Sequence, residues 1–334
     1  MSLKLVLSLF SSVCLFFFVA CQQQKPVLVG PVKIIFDSDM GPDYDDVGAL
    51  TLLHALADSG KAEILATMAS NKYDLVAPCL NVINTYYERP GIPVGSPKTH
   101  GVNIGCSQHW ADSLVANYAH KIASTSQAED AAILYRKILA SQPDTSVVIV
   151  TVGFLTNLND LLLSQPDSIS PLNGNDLVIK KVKRLVSMAG IFPEGSEFNV
   201  REDSTSSKYV FDHWPTRLVL SGFEIGNKIL TGKKLISSSL KTPAKRAFGI
   251  AIPLSEADKN GRQSWDQTAV LTAVKGSSYA FNEVKGQILV EPSGFNRWKN
   301  RKDGLHAYLV FKKSPEELSG LIESYMMHDA VSQK

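Results

Sequence analysis

The sequence predicts an α/β fold: an open, mainly parallel sheet with helices on both faces. Two observations carry this. Short apolar runs alternate with helical patterns from Val32 to Val274, as expected for a parallel sheet with crossover helices. The first such unit, Val32 to Leu56, has the order strand, acidic turn, helix, which suits a sheet whose ligands bind at the carboxyl ends of its strands. With 334 residues and 44% hydrophobic composition, the chain is long enough for one large domain or two smaller ones.

Val32–Phe36 is an apolar, strand-like run. Asp37, Asp39, Asp43, Asp45 and Asp46 follow within ten residues, with Gly41 and Pro42 turning the chain between them. Val47–Leu56 then shows helical spacing, with Asp45 or Asp46 at the N-cap. Ala62–Met68 reads as the second strand and Asp74–Tyr87 as a helix. Ile92–Val94 is a short strand, and Lys98–Asp112 is irregular. Ala128–Ala140 is helical, Ser146–Val152 is a β-branched strand broken by Gly153, and Thr156–Leu163 is helical. Residues 164–176 form a connection before the strand Val182–Met188, after which the chain is irregular to Ser206. Lys208–His213 is helical and Thr216–Ser221 is a strand. Residues 231–264 mix helical pieces with polar connections. Trp265 and Asp266 precede the helix Gln267–Val274. Ile288–Val290 and Ala307–Phe311 are late strands, and Pro315–Met327 closes the chain as an amphipathic helix.

The first twenty residues stand apart from this pattern. Lys4 precedes an apolar or small-residue stretch, Leu5–Ala20, which is short for a membrane-spanning helix. The ending Phe18-Val19-Ala20-Cys21 resembles a bacterial lipobox. That resemblance implies a signal peptide over residues 1–20, cleavage before Cys21, and lipidation of that cysteine. Residues 21–30 form a polar linker, and residues 31–330 the domain. Gln22 after the cysteine leans towards outer-membrane retention. The chain is thus expected to be lipid-anchored in a bacterial envelope, on the periplasmic or surface face. Its net charge is +2, with 34 basic and 32 acidic residues and no basic run, so a nucleic-acid partner is not expected. Of the remaining cysteines, Cys79 and Cys106 read as two buried thiols, with a disulfide as the alternative.

Two unit charges about 4 Å apart cost about 4 kcal/mol at an effective dielectric of about 20. The acidic turn is therefore either solvated or built around a cation, and its carboxylate oxygens suit a hard one. An EF-hand does not fit, because Pro42 and Gly48 stand at its glycine and glutamate positions. Asp37, Asp39, Asn71, Gly153, Glu197, Asn199 and Asp266 each lie just past a strand or just before a helix. Their joint placement predicts that they meet at one rim of the sheet.

The run Asp37-Ser38-Asp39-Met40-Gly41-Pro42-Asp43-Tyr44-Asp45-Asp46 resembles the opening motif of the inosine–uridine-preferring nucleoside hydrolases. Gly153-Phe154-Leu155-Thr156-Asn157 and Ser196-Glu197-Phe198-Asn199 resemble two later motifs of that family. The resemblance covers nearly all of residues 30–330 and implies a Rossmann-like sheet carrying calcium-dependent cleavage of ribonucleosides to base and ribose. It implies Ca²⁺ ligands at Asp39, Asp46, the Val152 carbonyl and Asp266, with Asp39 as the base. It implies ribose contacts from Asp45, Asn71, Glu197 and Asn199. Trp265 stands where one branch has a histidine, which points to the purine-preferring branch and to stacking of Trp265 on the base. Trp110 or His109 is the candidate for the opposite wall. The segment Met188–Glu197 is short, leaving one family asparagine unmatched, and Arg201–Thr205 replaces an acidic-proline motif. Family members are usually homodimers or homotetramers, so self-association is expected.

The chemistry fits N-glycoside hydrolysis, in which positive charge develops on the sugar and carboxylates stabilise it. Two rivals remain. One is a non-catalytic nucleoside- or sugar-binding lipoprotein on the same fold, which would not need Asp39 as a base. The other is a phosphatase with an Asp-x-Asp nucleophile, which wants Thr or Val where Gly41 stands.

Overall fold

A computed structural model describes residues 30–330 of the chain. The predicted signal segment 1–20, the lipidation site Cys21 and the linker as far as residue 29 lie outside the described residues. Strands run β1 Val32–Ser38, β2 Ala62–Ala69, β3 Val94–Ser96, β4 Glu129–Asp130, β5 Val147–Thr151, β6 Val182–Met188 and β7 Glu194–Ser196. They continue as β8 Arg217–Ser221, β9 Leu230–Thr231, β10 Arg262–Gln263, β11 Phe281–Val290, β12 Phe295–Asn300 and β13 His306–Phe311. The helices are α1 Asp45–Asp58, α2 Val76–Tyr86, α3 Trp110–Asn117, α4 Ala131–Ser141, α5 Thr156–Leu163, α6 Gly174–Lys181 and α7 Phe198–Glu202. The later ones are α8 Ser204–His213, α9 Phe223–Gly226, α10 Lys233–Ser237, α11 Pro243–Leu254, α12 Trp265–Lys275 and α13 Pro315–Met326.

Among the described residues, eleven strands form one sheet in the order β4-β3-β2-β1-β5-β6-β8-β13-β11-β12-β7. From β4 across to β13 the pairings are parallel, and from β13 to β7 they are antiparallel. The chain builds outward from β1 to β4, then returns to β5 on the other side of β1. That reversal places a crevice between the carboxyl ends of β1 and β5, where open α/β sheets bind their ligands. The period-two alternation of a strand divides the core between the two faces. Ile34, Phe36, Val148 and Val150 pack with Leu50, Leu53 and Val270 on one side. Ile35, Val147 and Ile149 pack with Leu134 and Leu158 on the other.

The expected α/β architecture is present, with local differences that have physical causes. Residues 164–176 are not wholly a connection, because Asn173 accepts from Asp176 N and caps α6. The helix expected from Ala128 starts at Ala131, where the Asp130 side chain caps it from the edge strand β4. The β-rich end is larger than expected. Strand β12 pairs with β11 on one side and with the edge strand β7 on the other. Cys79 and Cys106 are free, buried thiols.

One buried side chain makes the fold sensitive to acid. His54, in α1, shares a 3.0 Å hydrogen bond with Asn84 Oδ1, and its ring stacks on Tyr87 at 4.8 Å. Burial pushes its pKa down from 6.5 to about 3. The unfolded chain therefore binds a proton that the fold rejects, so stability is present above pH 6.5 and falls as the pH drops towards 3. Acidification from pH 7.5 to 5 should cost about 2 kcal/mol through this residue. Buried Asp37, raised to about 7, shifts stability the opposite way over this window, so the check is the difference between proteins: by urea titration, His54→Gln should lose about 2 kcal/mol less than the wild type between the two pH values.

Candidate active site and metal cluster

The crevice beyond β1 and β5 holds a cavity that opens to solvent, with about 440 Å³ of space including its mouth. Its lining combines five acids, Asp39, Asp43, Asp45, Asp46 and Asp266, with the apolar wall residues Met188, Phe198, Phe223 and Trp265 and with Val152, Glu197 and Asn199.

Helix packing brings the acids together. Asp45 and Asp46 open α1, and Asp266 is the second residue of α12. The two helices pack closely because Gly48 has no side chain; a Cβ there would lie 2.6 Å from Gln267 Nε2. A second close approach is at Gly153, where a Cβ would lie 2.4 Å from Asp39 N, so the chain leaving β5 presses against the end of β1. Carboxylate oxygens of Asp45, Asp46 and Asp266 then lie within 4.8 Å of one another. Ser38 Oγ donates to Asp46 Oδ1 at 2.6 Å, and Asp266 N donates to Asp45 Oδ2 at 3.3 Å.

Burial, and then repulsion from the neighbouring carboxylates, pushes Asp39, Asp46 and Asp266 well above the usual carboxylate range. Burial also raises Asp45, against the opposing pull of Arg262. The two helix N-termini favour negative charge by only about 0.3–1 kcal/mol each. That is small beside about 4 kcal/mol for a single close pair, so the cluster either holds protons or holds a cation. An all-oxygen, partly preformed donor set fits a hard divalent ion.

The structure places most of the sequence-derived candidates around this cavity and gives others different work. Asp39 faces it but is not one of the three mutually close carboxylates; Asp45 is. The Val152 carbonyl lies at the cavity and already accepts from Asn199 Nδ2 at 3.0 Å. Asn199 Nδ2 also reaches Met188 O, so this amide ties two strand ends together. Glu197 accepts from the N–H groups of Gly190, Asn199 and Val200, capping α7 and bracing the turn after β6. Burial raises its pKa in spite of these bonds.

Asn71 does not line the cavity. Its amide donates to Asp39 O and Ile104 O and accepts from the N–H groups of Tyr73 and Ile104. These bonds make it a brace for the acidic turn. Trp110 is buried in the core at the start of α3, and His109 is an exposed residue beside Asp112. Neither is a cavity wall; Phe198 and Phe223 supply the further aromatic faces. Asp37 lies beneath the cavity, bonded to Tyr135 Oη at 2.8 Å and to Asn157 Nδ2, with burial raising its pKa to about 7.

The sequence reading missed Arg262. It carries no motif and lies in a segment of mixed pattern, yet it is buried against Asp43 and Asp45. Phe198 sits inside the Glu-Phe-Asn motif, where only its neighbours had drawn attention.

Residues 34–319 match the model of the inosine-uridine preferring nucleoside hydrolase family. The chain belongs to this family. The nucleoside hydrolase match makes it a glycosyl hydrolase. No curated protein matches its sequence. A purine-preferring ribonucleoside hydrolase from Gardnerella vaginalis superposes with a TM-score of 0.67 at 16% identity, covering 88% of this chain and 99% of that one. An inosine-guanosine nucleoside hydrolase gives 0.67 at 19% identity, covering 89% and 99%. The type III effector protein XopQ, complexed with adenosine diphosphate ribose, gives 0.64 at 13% identity, covering 90% and 93%. At these identities the likeness concerns the fold.

A divalent cation that binds the folded cluster should raise stability by about 2.7 kcal/mol at one hundred times its Kd. Thermal melts with and without added cation check this, and Asp266→Asn should remove most of the shift.

Proposed function

We propose that this nucleoside hydrolase cleaves the N-glycosidic bond of ribonucleosides in a calcium-dependent reaction, with purine nucleosides favoured. The observation that carries the reading is the lining of one cavity, where five aspartates and three aromatic side chains meet. Asp45, Asp46 and Asp266 would hold the calcium ion, with Asp39 and the Val152 carbonyl beside them. Bound there, Ca²⁺ would supply positive charge that orients ribose hydroxyls and makes a water more acidic.

Asp39 would accept the proton of the attacking water: it lines the cavity, and a cation held beside it would favour its ionised form. Water adds to C1′, the bond from C1′ to the base nitrogen breaks, and the bonding pair leaves with the base. The base takes its proton from solvent. Glu197 and Asn199 hold the turn that closes on the sugar, and the acidic wall stabilises the positive charge on it. Trp265 offers a stacking face for a purine. The XopQ complex favours one further substrate class, larger ribosylated compounds, as an alternative to common nucleosides.

Free ribose should appear from inosine and guanosine faster than from uridine and cytidine, and a calcium chelator should stop it. Asp39→Asn should lower kcat by about 10²–10⁴ while ribose still binds by calorimetry. Unchanged turnover in that variant would exclude Asp39 as the base, and no turnover in the wild type with ribose bound would favour the binding-protein reading.

We also propose a location in the cell envelope. Cys21 would carry the lipid after removal of residues 1–20, tethering a self-associating enzyme to the bacterial envelope, with the outer membrane favoured. Cys21→Ser should move the protein from the membrane fraction to the soluble fraction in cell fractionation.

A further inference from the structure

The apolar wall poses a chemical problem. Met188, Phe198, Phe223 and Trp265 carry no titratable proton, and the one polar hydrogen among them, on Trp265 Nε1, donates to Phe223 O at 2.8 Å. A base leaving along this wall meets no side-chain acid there. What lies against the wall is a fixed positive charge. Arg262 is 8% exposed, and its Cζ sits 5.0 Å from the Trp265 ring centroid and 4.9 Å from that of Tyr44.

A guanidinium is planar, with donors around its edge and a face free to stack, so one arginine can do two jobs. The edge of Arg262 is occupied by acids. Nη2 lies 2.6 Å from Asp43 Oδ1 and 2.9 Å from Asp45 Oδ1, and Nη1 lies 3.9 Å from Asp258 Oδ1. Asp258 also accepts from Tyr44 Oη at 2.9 Å, which closes the frame. The edge therefore fixes the guanidinium over the indole, whose ring also stacks with that of Phe223, centroids 5.1 Å apart. Backbone pairing of Arg262 with Thr231 holds the residue from behind.

We infer that Arg262 is a positioning residue for the leaving base: its guanidinium sets the place and the polarity of the Trp265 indole. This rests on the nucleosidase reading above. As the bond from C1′ breaks, the base gains electron density. An indole with a cation on it presents a more electron-poor face, which holds an electron-rich base better than an unbacked ring does. Arg262 does not line the cavity, so it acts through Trp265 rather than on the substrate. Because the same guanidinium holds Asp45, the base wall and the acidic wall keep one spacing.

Arg262→Lys tests the face without discarding the charge, since lysine keeps a cation for the aspartates but cannot stack as a plane. With inosine, kcat/KM should fall at least tenfold. With p-nitrophenyl β-D-riboside, whose leaving group needs neither stacking nor polarisation, it should change less than threefold. Calcium affinity by calorimetry should also stay within threefold. In a Trp265→Leu background, Arg262→Lys should cost less than a further twofold with inosine. Trp265→Leu probes the same contact without touching the arginine–aspartate pairs, and so serves if Arg262→Lys folds poorly. Equal losses on both substrates, additivity with Trp265→Leu, or no loss with inosine would overturn the role. If the wild type releases ribose from neither substrate, the nucleosidase reading fails by itself. The same four proteins are then titrated with inosine, where coupling above fivefold supports the positioning role and coupling below twofold overturns it. A wild type that binds no inosine overturns both.

Discussion

Mutual repulsion among buried aspartates is the constraint on which the rest of this structure depends. Asp45, Asp46 and Asp266 converge within 4.8 Å, with Asp39 and Asp43 facing the same space. Nothing in apolar burial favours that arrangement, and desolvation opposes it. It exists because two helices pack tightly enough to bring their first turns together and because the sheet holds the acidic turn from beneath. The close approaches at Gly48 and Gly153 are where that force is applied.

The surrounding polar side chains make sense as responses to this crowding. Ser38, Asn71, Asn157 and Asn199 each fasten backbone or a carboxylate at a strand end, so the turn cannot relax outward. Arg262 supplies a buried positive charge beside Asp43 and Asp45. The acidic wall is thereby kept both close and oriented, the condition under which a hard cation and a sugar diol can be held in one geometry. Stability and chemistry draw on the same contacts: an acid that destabilises the empty cluster is useful once a cation and substrate are present.

The apolar wall obeys a different logic. Trp265 is adjacent in sequence to Asp266, so the residue that offers the aromatic face starts the same helix that carries the acid. Its indole hydrogen is anchored on Phe223 O and its ring lies against Phe223 and Arg262. The wall is aromatic surface whose one polar hydrogen is already engaged.

Much of this was legible from the chain itself, because it depends on local chemistry. Apolar runs alternating with helical periodicity specify a parallel sheet with covered faces, and Asp37–Asp46 packs its charge between a strand and a helix, where only a rim position is available. The motifs around Asn157, Glu197 and Asn199 were readable through resemblance to short family motifs, since each is a continuous stretch of sequence. What the tertiary structure alone decided is contact between distant segments. Asn71 is drawn off to brace Asp39 O and Ile104, because the loop before α3 folds back onto the acidic turn. Trp110 is drawn into the core because α3 packs on α2 and α11. Arg262 meets Asp43 and Asp45 across more than two hundred residues of sequence. No periodicity encodes such a pairing; it follows from how α1 and α12 pack and from where the chain re-enters between them.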